Sequence, residues 1–386
     1  MDPLDELIEW AASNGVRMNG IAPKRMPGRG IGMVATRDIE EDEIILDVPT
    51  KCLRSLSTVH KGRLKKLPEN ITVHGILAAE LVEDKRPKYA PWNAVCPPME
   101  DFWTAPLRWP HELQTRLPLR SRQLLEKQKA KYARDWAAYI TAFPHFGPKW
   151  GGQEVYEHAW LLVNSRTFYY DDVALKNRPG TTTDDHLALQ PVADLFNHSD
   201  EPGCRAAYGS DGFSFRATTA HRKGDEIKIG YGRHSNDFLL VEYGFTLEPN
   251  CWDETLLDEV ILSRFNEKQK DKLEEFGFLG NYVVDKETVC HRTQVALRLL
   301  YCKAGEWRKF VAGVTDGETS QPAVDKLLLE VLKETKRKAE AMIEEIEDLF
   351  SLPEKHWDQR DVLIRRWYQI GVLLDARIAS LEQVEA

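Results

Sequence analysis

The fold is decided by three neighbouring blocks of sequence: QPVADLFNHS (residues 190–199), GDEIKIGYG (residues 224–232) and NDFLLVEYGF (residues 236–245). One block of this length would be weak evidence, because short motifs also occur by chance. The order and spacing of the three together are specific. The rest of the chain is therefore interpreted around them.

These blocks resemble the two signature motifs of the SET-domain methyltransferases, with Asn197–Ser199 in the first motif and Tyr231 in the second. The run Asn236–Phe245 resembles the branch that contains the Rubisco large-subunit lysine methyltransferases and related fungal and animal enzymes, and we expect a fungal member. The resemblance implies an α+β fold. A β-rich SET core is split by a helical insert and followed by an all-α C-terminal domain.

The same resemblance divides the chain into four segments. They are residues 1–56, the N-terminal part of the SET domain; 57–150, the helical insert; 151–248, the C-terminal part of the SET domain; and 249–386, a helical domain similar to the family's substrate-binding domain. The cofactor and lysine-channel motifs fall in the third segment. For the second segment, a helical connector without a role in chemistry is the alternative interpretation.

The composition is that of an ordinary globular protein, with 42% apolar and 29% charged residues among 386. A net charge of -9 argues against a strongly basic nucleic-acid binder. The six cysteines form no C-x-x-C pair, which excludes the usual structural zinc spacing and favours a reducing compartment. Neither a signal peptide nor a run of about 18 apolar residues is visible. We expect a cytoplasmic or nuclear monomer that contacts neither membrane nor nucleic acid directly.

Apolar residues at helical spacing predict six helices. They fall at about residues 4–11, 73–81, 125–139, 153–163, 328–349 and 363–381. Ser121 is the predicted N-cap of the third helix. Pro322 is expected to start the fifth helix, and Pro353 to end it.

Strand-like runs are expected at Met33–Ala35 and Ile44–Val48, around a turn at residues 38–42. Two further short strands are predicted at Phe213–Ala217 and Ile227–Ile229. The glycine-rich loop Gly28–Gly32 allows backbone to approach a ligand without a Cβ in the way. On this stretch alone, a plain hairpin turn is the alternative.

The resemblance implies S-adenosylmethionine as the cofactor and assigns residues to it. Arg29, Gly30 and Ile31 align with the family's first-motif loop, although many relatives carry an acidic residue where Arg29 stands. Arg166 aligns with an arginine that pairs with the cofactor carboxylate, a role suited to a permanently charged donor. By the same resemblance, Asn197 binds the amino group of the methionine moiety. His198 binds the adenine through its main chain.

Tyr231 takes the place of the family's catalytic tyrosine and also borders the cofactor. Methyl transfer to an amine needs no covalent intermediate, so positioning supplies much of the rate. By resemblance, the channel for the substrate lysine is lined by Ser165, Phe168, Asp194, Ile229, Tyr243 and Phe245. Aromatic walls also attract a methylated ammonium. A half-buried structural tyrosine is the alternative for Tyr231 taken alone.

No metal is predicted. His186, Asp194 and His198 could suggest a metal cluster, but their spacing fits no standard ligand set. A hydrolase is disfavoured because the chain has no G-x-S-x-G elbow.

The sequence therefore favours a protein-lysine N-methyltransferase that acts on a basic, non-histone protein such as a ribosomal or translation protein. Two alternatives stay open, namely a protein-histidine methyltransferase on the same fold and a catalytically silent scaffold that binds protein partners.

Overall fold

The computed structural model describes residues 2–84, 86–146, 152–178, 180–209 and 211–385. The chain forms two compact units. The first contains residues 1–103 and 126–233, and the second contains residues 104–125 and 234–386. Thr104–Leu125, which lies within the predicted insert, thus belongs to the second unit.

The structure describes fourteen helices and eleven strands in these ranges. The helices are α1 (Pro3–Ser13), α2 (Lys61–Leu64), α3 (Val73–Glu83), α4 (Ala90–Asn93), α5 (His111–Gln114), α6 (Leu119–Ala142), α7 (Gly152–Arg166), α8 (Asn236–Tyr243), α9 (Asp258–Ile261), α10 (Glu267–Glu275), α11 (His291–Tyr301), α12 (Ala304–Val311), α13 (Gln321–Glu347) and α14 (Trp357–Glu385). The strands are β1 (Arg17–Met18), β2 (Ile21–Met26), β3 (Gly30–Ala35), β4 (Ile44–Pro49), β5 (Thr167–Tyr169), β6 (Leu187–Leu189), β7 (Cys204–Gly209), β8 (Gly212–Ala217), β9 (Glu226–Ile227), β10 (Glu254–Leu256) and β11 (Val283–Asp285).

The β-structure of the first unit consists of small antiparallel sheets, in the orders β1-β4-β8-β7, β2-β3-β9 and β5-β6. The predicted strands at 33–35, 44–48 and 213–217 are confirmed, whereas the strand predicted at 227–229 is shifted to Glu226–Ile227, and Ile229 forms only isolated bridges. However, β3 and β4 belong to different sheets, so the turn at residues 38–42 connects two sheets instead of closing a hairpin. The hairpin lies earlier, where Met26 pairs with Gly30 across the turn that contains Gly28.

The helical core of the first unit is aromatic. The rings of Tyr139 and Tyr156 stack with centroids 4.5 Å apart, and His74 stacks on Trp160 at 4.1 Å. Asp135, fully buried, accepts hydrogen bonds from the Thr72 backbone and the Trp160 indole. Most of α3 is buried, which agrees with its apolar sequence. These helices pack together because each offers a large apolar area.

The prediction for Ser121 is wrong. Helix α6 begins two residues earlier, at Leu119, and the Pro118 carbonyl accepts its first helical bond, from Arg122 N. Ser121 lies inside the helix, where its Oγ donates to Asp237 Oδ1 at 2.5 Å. The Ser121 hydroxyl therefore binds the buried carboxylate of Asp237, which is distant in sequence, and does not cap the helix.

The second unit is helical, as predicted, with one small addition, the two-stranded sheet of β10 and β11. Pro322 stands in the first turn of α13, as expected, whereas the helix ends at Glu347, well before Pro353. The apolar stripes predicted for α13 and α14 are mostly buried, with Leu328, Leu363 and Leu374 fully inside. None of the helices within the described residues has both the length and the apolar character needed to cross a lipid bilayer.

A fully buried arginine holds several parts of the second unit together. Arg366 Nη2 lies 3.1 Å from Asp237 Oδ2, and its Nη1 lies 2.7 Å from Asp253 Oδ2. The side chains of Arg366 and Asp237 are both 0% exposed. Burial alone would lower the pKa of Arg366, but the two carboxylates outweigh burial and raise it. Arg366 therefore remains charged inside the unit.

Candidate active site

The first two sequence blocks lie side by side in the first unit. Ser199 N donates to Ile229 O, and Ile229 N donates to Asn197 O, both at 2.9 Å. Because backbone hydrogen bonds fix the register, the side chains of residues 197–199 are held against those of residues 229–231. Ile229 is itself buried in this pairing.

Tyr231 is held at both its backbone and its hydroxyl group. Its N–H donates to His198 Nδ1 at 3.1 Å, and the two rings stack with centroids 4.9 Å apart. Its hydroxyl donates to the Phe196 carbonyl at 2.7 Å. Burial raises the pKa of the Tyr231 phenol to about 12. The phenol therefore stays neutral at physiological pH, and because its hydrogen points at the Phe196 carbonyl, its oxygen acts as an acceptor toward any other group.

A second polar group joins α7, α4 and the first sequence block. Arg166 Nη1 donates to Asp194 O at 2.9 Å and to Asp194 Oδ2 at 3.2 Å. The Trp92 indole N–H donates to the same Oδ2 at 3.0 Å. Burial alone would lower the pKa of Arg166, but Asp194 and the Cys96 thiol raise it. Arg166 is thus a fixed cation beside a fixed carboxylate.

Several buried polar atoms of this group have no hydrogen-bond partner among the described residues. They are Arg166 Nε, Asp194 Oδ1 and both polar side-chain atoms of Gln190, a residue that is 0% exposed. Leaving such an atom unpaired costs about 1–3 kcal/mol. The orphan atoms of Gln190 and Asp194, together with Arg166 Nε, therefore indicate a place for a ligand or for ordered water.

Backbone strain lies in the same segment. Val192 has φ 80° and ψ -49°, a conformation that β-branched residues rarely adopt. It stands between Gln190 and Asp194, whose backbones are joined by a hydrogen bond of 3.0 Å from Asp194 N to Gln190 O. Strain of this kind costs about 1–3 kcal/mol and clusters at functional sites.

The glycine-rich hairpin contacts the first block through a carboxylate. Glu226 Oε1 accepts from Asn197 Nδ2, and Glu226 Oε2 accepts from Arg29 Nη1, both at 2.7 Å. A Cβ on Gly32 would come within 2.8 Å of Glu226 Oε1 and 2.9 Å of Asn197 Nδ2. Only glycine allows this close approach. The Arg29 guanidinium is therefore bound to protein, while Gly30 and Ile31 form the start of β3.

The remaining predicted channel residues divide between the two units. Phe168, on β5, meets the Phe215 ring edge-on at 6.1 Å, and Phe196 stacks on the same ring at 5.4 Å. Tyr243 and Phe245 belong to the second unit, where their ring centroids lie 6.1 Å apart.

Ser165 turns back into its own helix, where its Oγ donates to Leu161 O at 2.9 Å. In this arrangement, the Ser165 hydroxyl donates its hydrogen bond within α7 and not to a substrate.

The charges of Arg166, Asp194 and Glu226 all act on the Tyr231 phenol. The structure thus brings together Arg29, Arg166, Asp194, Asn197, His198, Ile229 and Tyr231 within the first unit. Two members of this site were missed by the sequence analysis. Glu226 stands inside the second block, directly before the predicted strand at residues 227–229, whereas Trp92 lies in a Pro/Trp-rich segment that gave no signal.

The three residues that could have suggested a metal cluster have separate partners. His186 stacks on Tyr169, Asp194 binds Arg166, and His198 accepts from the Tyr231 backbone. Within the part of the chain that the structure describes, no group of three or more His, Cys, Asp or Glu residues is arranged to hold a metal ion.

Comparison with protein-family models matches residues 30–232 to the SET domain. The chain belongs to the SET-domain family. A second model, described as the C-terminal domain of ribosomal lysine N-methyltransferase 2, matches residues 254–373. The SET match contains every residue of the cluster around Tyr231 except Arg29, which immediately precedes it.

Relatives of known name cover nearly the whole chain. The ribosomal lysine N-methyltransferase set11 of Schizosaccharomyces pombe is 26% identical over 92% of this chain and 95% of its own length. The human SET domain-containing protein 4 is 26% identical over 93% of this chain and 89% of its own length. The solved structure of Rubisco LSMT bound to AdoMet has a TM-score of 0.64 at 18% identity, and covers 100% of this chain and 92% of that chain. This last likeness supports the SET fold.

Proposed function

We propose that the protein transfers a methyl group from S-adenosylmethionine to the side-chain amine of a lysine in a protein substrate. One observation carries this proposal. Asn197–Ser199 is hydrogen-bonded alongside Ile229–Tyr231, with a neutral phenol at its centre and orphaned buried polar atoms beside it. The fission-yeast relative is named a ribosomal lysine N-methyltransferase, which supports a ribosomal protein as the substrate.

The residues present fit S-adenosylmethionine. Its carboxylate needs a cation, and Arg166 is charged with a buried Nε that has no partner among the described residues. Its ammonium group needs an acceptor, which the Asn197 carbonyl oxygen can supply. When bound, the cofactor supplies an electrophilic methyl group on a sulfonium.

The residues around Tyr231 then have to position a neutral amine. Free lysine titrates near about 10.4, and burial in an apolar channel lowers that pKa. The Tyr231 hydroxyl directs its hydrogen at Phe196 O, so the lone pairs of its oxygen are free to accept from an amine N–H and to orient that amine. Phe168, which meets the Phe215 ring edge-on, is the proposed aromatic wall of the channel in the first unit. Positioning of this kind accounts for much of the acceleration that such a displacement needs.

The substrate belongs to the same proposal. A ribosomal or other translation protein is basic, and the enzyme carries a net charge of -9, which favours the encounter of the two. Incubation with tritiated S-adenosylmethionine and separated ribosomal proteins should label at least one protein. Acid hydrolysis of the labelled band should then give methyl-lysine. Methyl-histidine would support the histidine alternative instead, and the absence of any labelled band would support the silent scaffold.

Cofactor binding gives a direct test of Arg166. Arg166→Met is expected to weaken binding of S-adenosylhomocysteine by about 10- to 100-fold, because hydrogen bonds to charged groups contribute about 1.5–3 kcal/mol. Isothermal titration calorimetry measures this loss. The matched control is Arg205→Met, since the Arg205 side chain is 68% exposed in the same unit. Equal affinities in the two variants would remove Arg166 from the cofactor site.

The pH dependence tests the protonation state of Tyr231. Because burial raises the pKa of the phenol to about 12, the phenol stays protonated while the acceptor amine loses its proton. We expect kcat/KM to rise between about pH 6 and 9 as the neutral fraction of the lysine grows. Tyr231→Phe should keep this shape at a lower rate. A falling limb in this range that disappears in Tyr231→Phe would show that the phenol ionises there, against the expectation.

A further inference from the structure

Glu226 connects three segments of the candidate site. It stands on β9 opposite Val34 of β3, and its side chain is 11% exposed. One carboxylate oxygen accepts from Asn197 Nδ2 and the other from Arg29 Nη1, both at 2.7 Å. The backbone of Gly32 approaches so closely that an added Cβ would lie 2.8 Å from Glu226 Oε1. A carboxylate with so many contacts has a fixed position.

The chemistry of a carboxylate decides which way the Asn197 amide points. An ionised carboxylate can only accept hydrogen bonds, so the amide must turn its NH₂ group toward Glu226. The carbonyl oxygen of Asn197 then faces away from Glu226. Arg29 is permanently charged, and its Nη1 donates to the other oxygen of the same carboxylate. A carbonyl oxygen held in this orientation suits an ammonium group and does not suit a carboxylate.

We propose that Glu226 is a positioning residue that fixes the Asn197 amide so that its carbonyl oxygen accepts from the ammonium group of the cofactor. Arg29 serves as the ion-pair partner of Glu226, and its guanidinium does not bind the cofactor. The inference rests on the proposed function, because it takes S-adenosylmethionine as the ligand.

The competing account is that Glu226 only ties the β2–β3 turn to β9 as a structural ion pair. Both accounts predict some loss of stability when Glu226 is changed. They differ in one property, which is the dependence of binding on the ligand's amino group. The test therefore uses calorimetry with two probes, S-adenosylhomocysteine and its analogue in which hydrogen replaces the amino group.

Glu226→Gln is expected to weaken binding of S-adenosylhomocysteine by about tenfold, the effect of one charge-assisted hydrogen bond. Glutamine can turn either its oxygen or its NH₂ toward Asn197, so the orientation of the amide is no longer fixed. The affinity for the deaminated analogue should be unchanged. In the Asn197→Ala background, Glu226→Gln should have no further effect, because the group through which Glu226 acts is gone. Asp225→Asn, a change at the exposed neighbouring carboxylate, is the charge-matched control.

Two outcomes would overturn the proposal. One is an equal loss of affinity for both probes in Glu226→Gln, and the other is a full additional loss in the Asn197→Ala background.

Arg29→Met supplies a test that does not depend on the folding of a Glu226 variant. The Arg29 side chain is 49% exposed, so its removal should weaken either probe by less than about threefold. A loss of tenfold or more would make Arg29 a cofactor ligand and contradict its assigned role. Failure of wild type to bind S-adenosylhomocysteine would instead refute the proposed function.

Discussion

Tyr231→Phe is expected to lower kcat by about 10²- to 10³-fold, the usual effect of removing one preorganised polar group from a reaction centre. The variant keeps the ring that stacks on His198 but loses the hydroxyl that donates to Phe196 O. The oxygen that orients the amine is therefore lost, while the fold around it is retained. Single-turnover kinetics measures the rate, and calorimetry with S-adenosylhomocysteine should give an affinity close to that of wild type.

The matched control is Tyr301→Phe, because Tyr301 is 59% exposed at the end of α11 in the second unit. That variant should keep the wild-type rate. If Tyr231→Phe also kept most of its rate, Tyr231 would be a structural residue, and the role that its position in the SET motif implies would be wrong.

Arg366→Met is expected to destabilise the second unit by about 3–5 kcal/mol. The substitution removes the cation from between Asp237 and Asp253 and leaves Asp237 buried without its charge partner. An uncompensated buried carboxylate either stays ionised at high cost or takes up a proton, and both outcomes lower the free energy of unfolding. Urea denaturation followed by far-ultraviolet circular dichroism, which reports the helices of both units, measures the change.

Arg365→Met is the control, because the neighbouring Arg365 is exposed on the same helix. It should change the unfolding free energy by less than about 0.5 kcal/mol. A cost below about 1 kcal/mol for Arg366→Met would mean that the buried ion pairs contribute little beyond their own desolvation.

Six of the fourteen helices in the described part of the chain were predicted, because apolar residues recur in them at helical spacing, a signal that is local in sequence. Leu363 and Leu374 of α14 are buried as that pattern requires. Strand pairing was not predictable to the same degree. Nothing between Ala35 and Ile44 indicates that β3 and β4 enter different sheets, since their partners β9 and β8 come from far along the chain.

The error at Ser121 has the same origin. A serine before a helical stripe is a sound N-cap signal, but the structure gives its hydroxyl to Asp237, a residue of the third sequence block. The sequence analysis treated that block only as a family motif. It did not predict the structural contacts of the first two residues of the block, Asn236 and Asp237. Asn236 Nδ2 donates to Leu247 O at 3.0 Å, and Asp237 binds Arg366. In the second unit these two residues fix α8 to its neighbours.

The site could be predicted only where a residue belongs to a motif. Asn197, His198 and Tyr231 were found in this way, and the structure joins them by hydrogen bonds and ring stacking. Trp92 was out of reach, because its indole meets Asp194 only through a contact across 102 residues. The partnership of Glu226 with Arg29 likewise depends on the pairing of β9 with β3.

The most direct test is mass spectrometry of lysine methylation in cells with and without the gene. We predict that at least one methyl-lysine on a ribosomal or translation protein disappears with the gene. The wild-type chain should restore it, and the Tyr231→Phe chain should not. An unchanged set of methyl-lysines, or full restoration by Tyr231→Phe, would contradict the account.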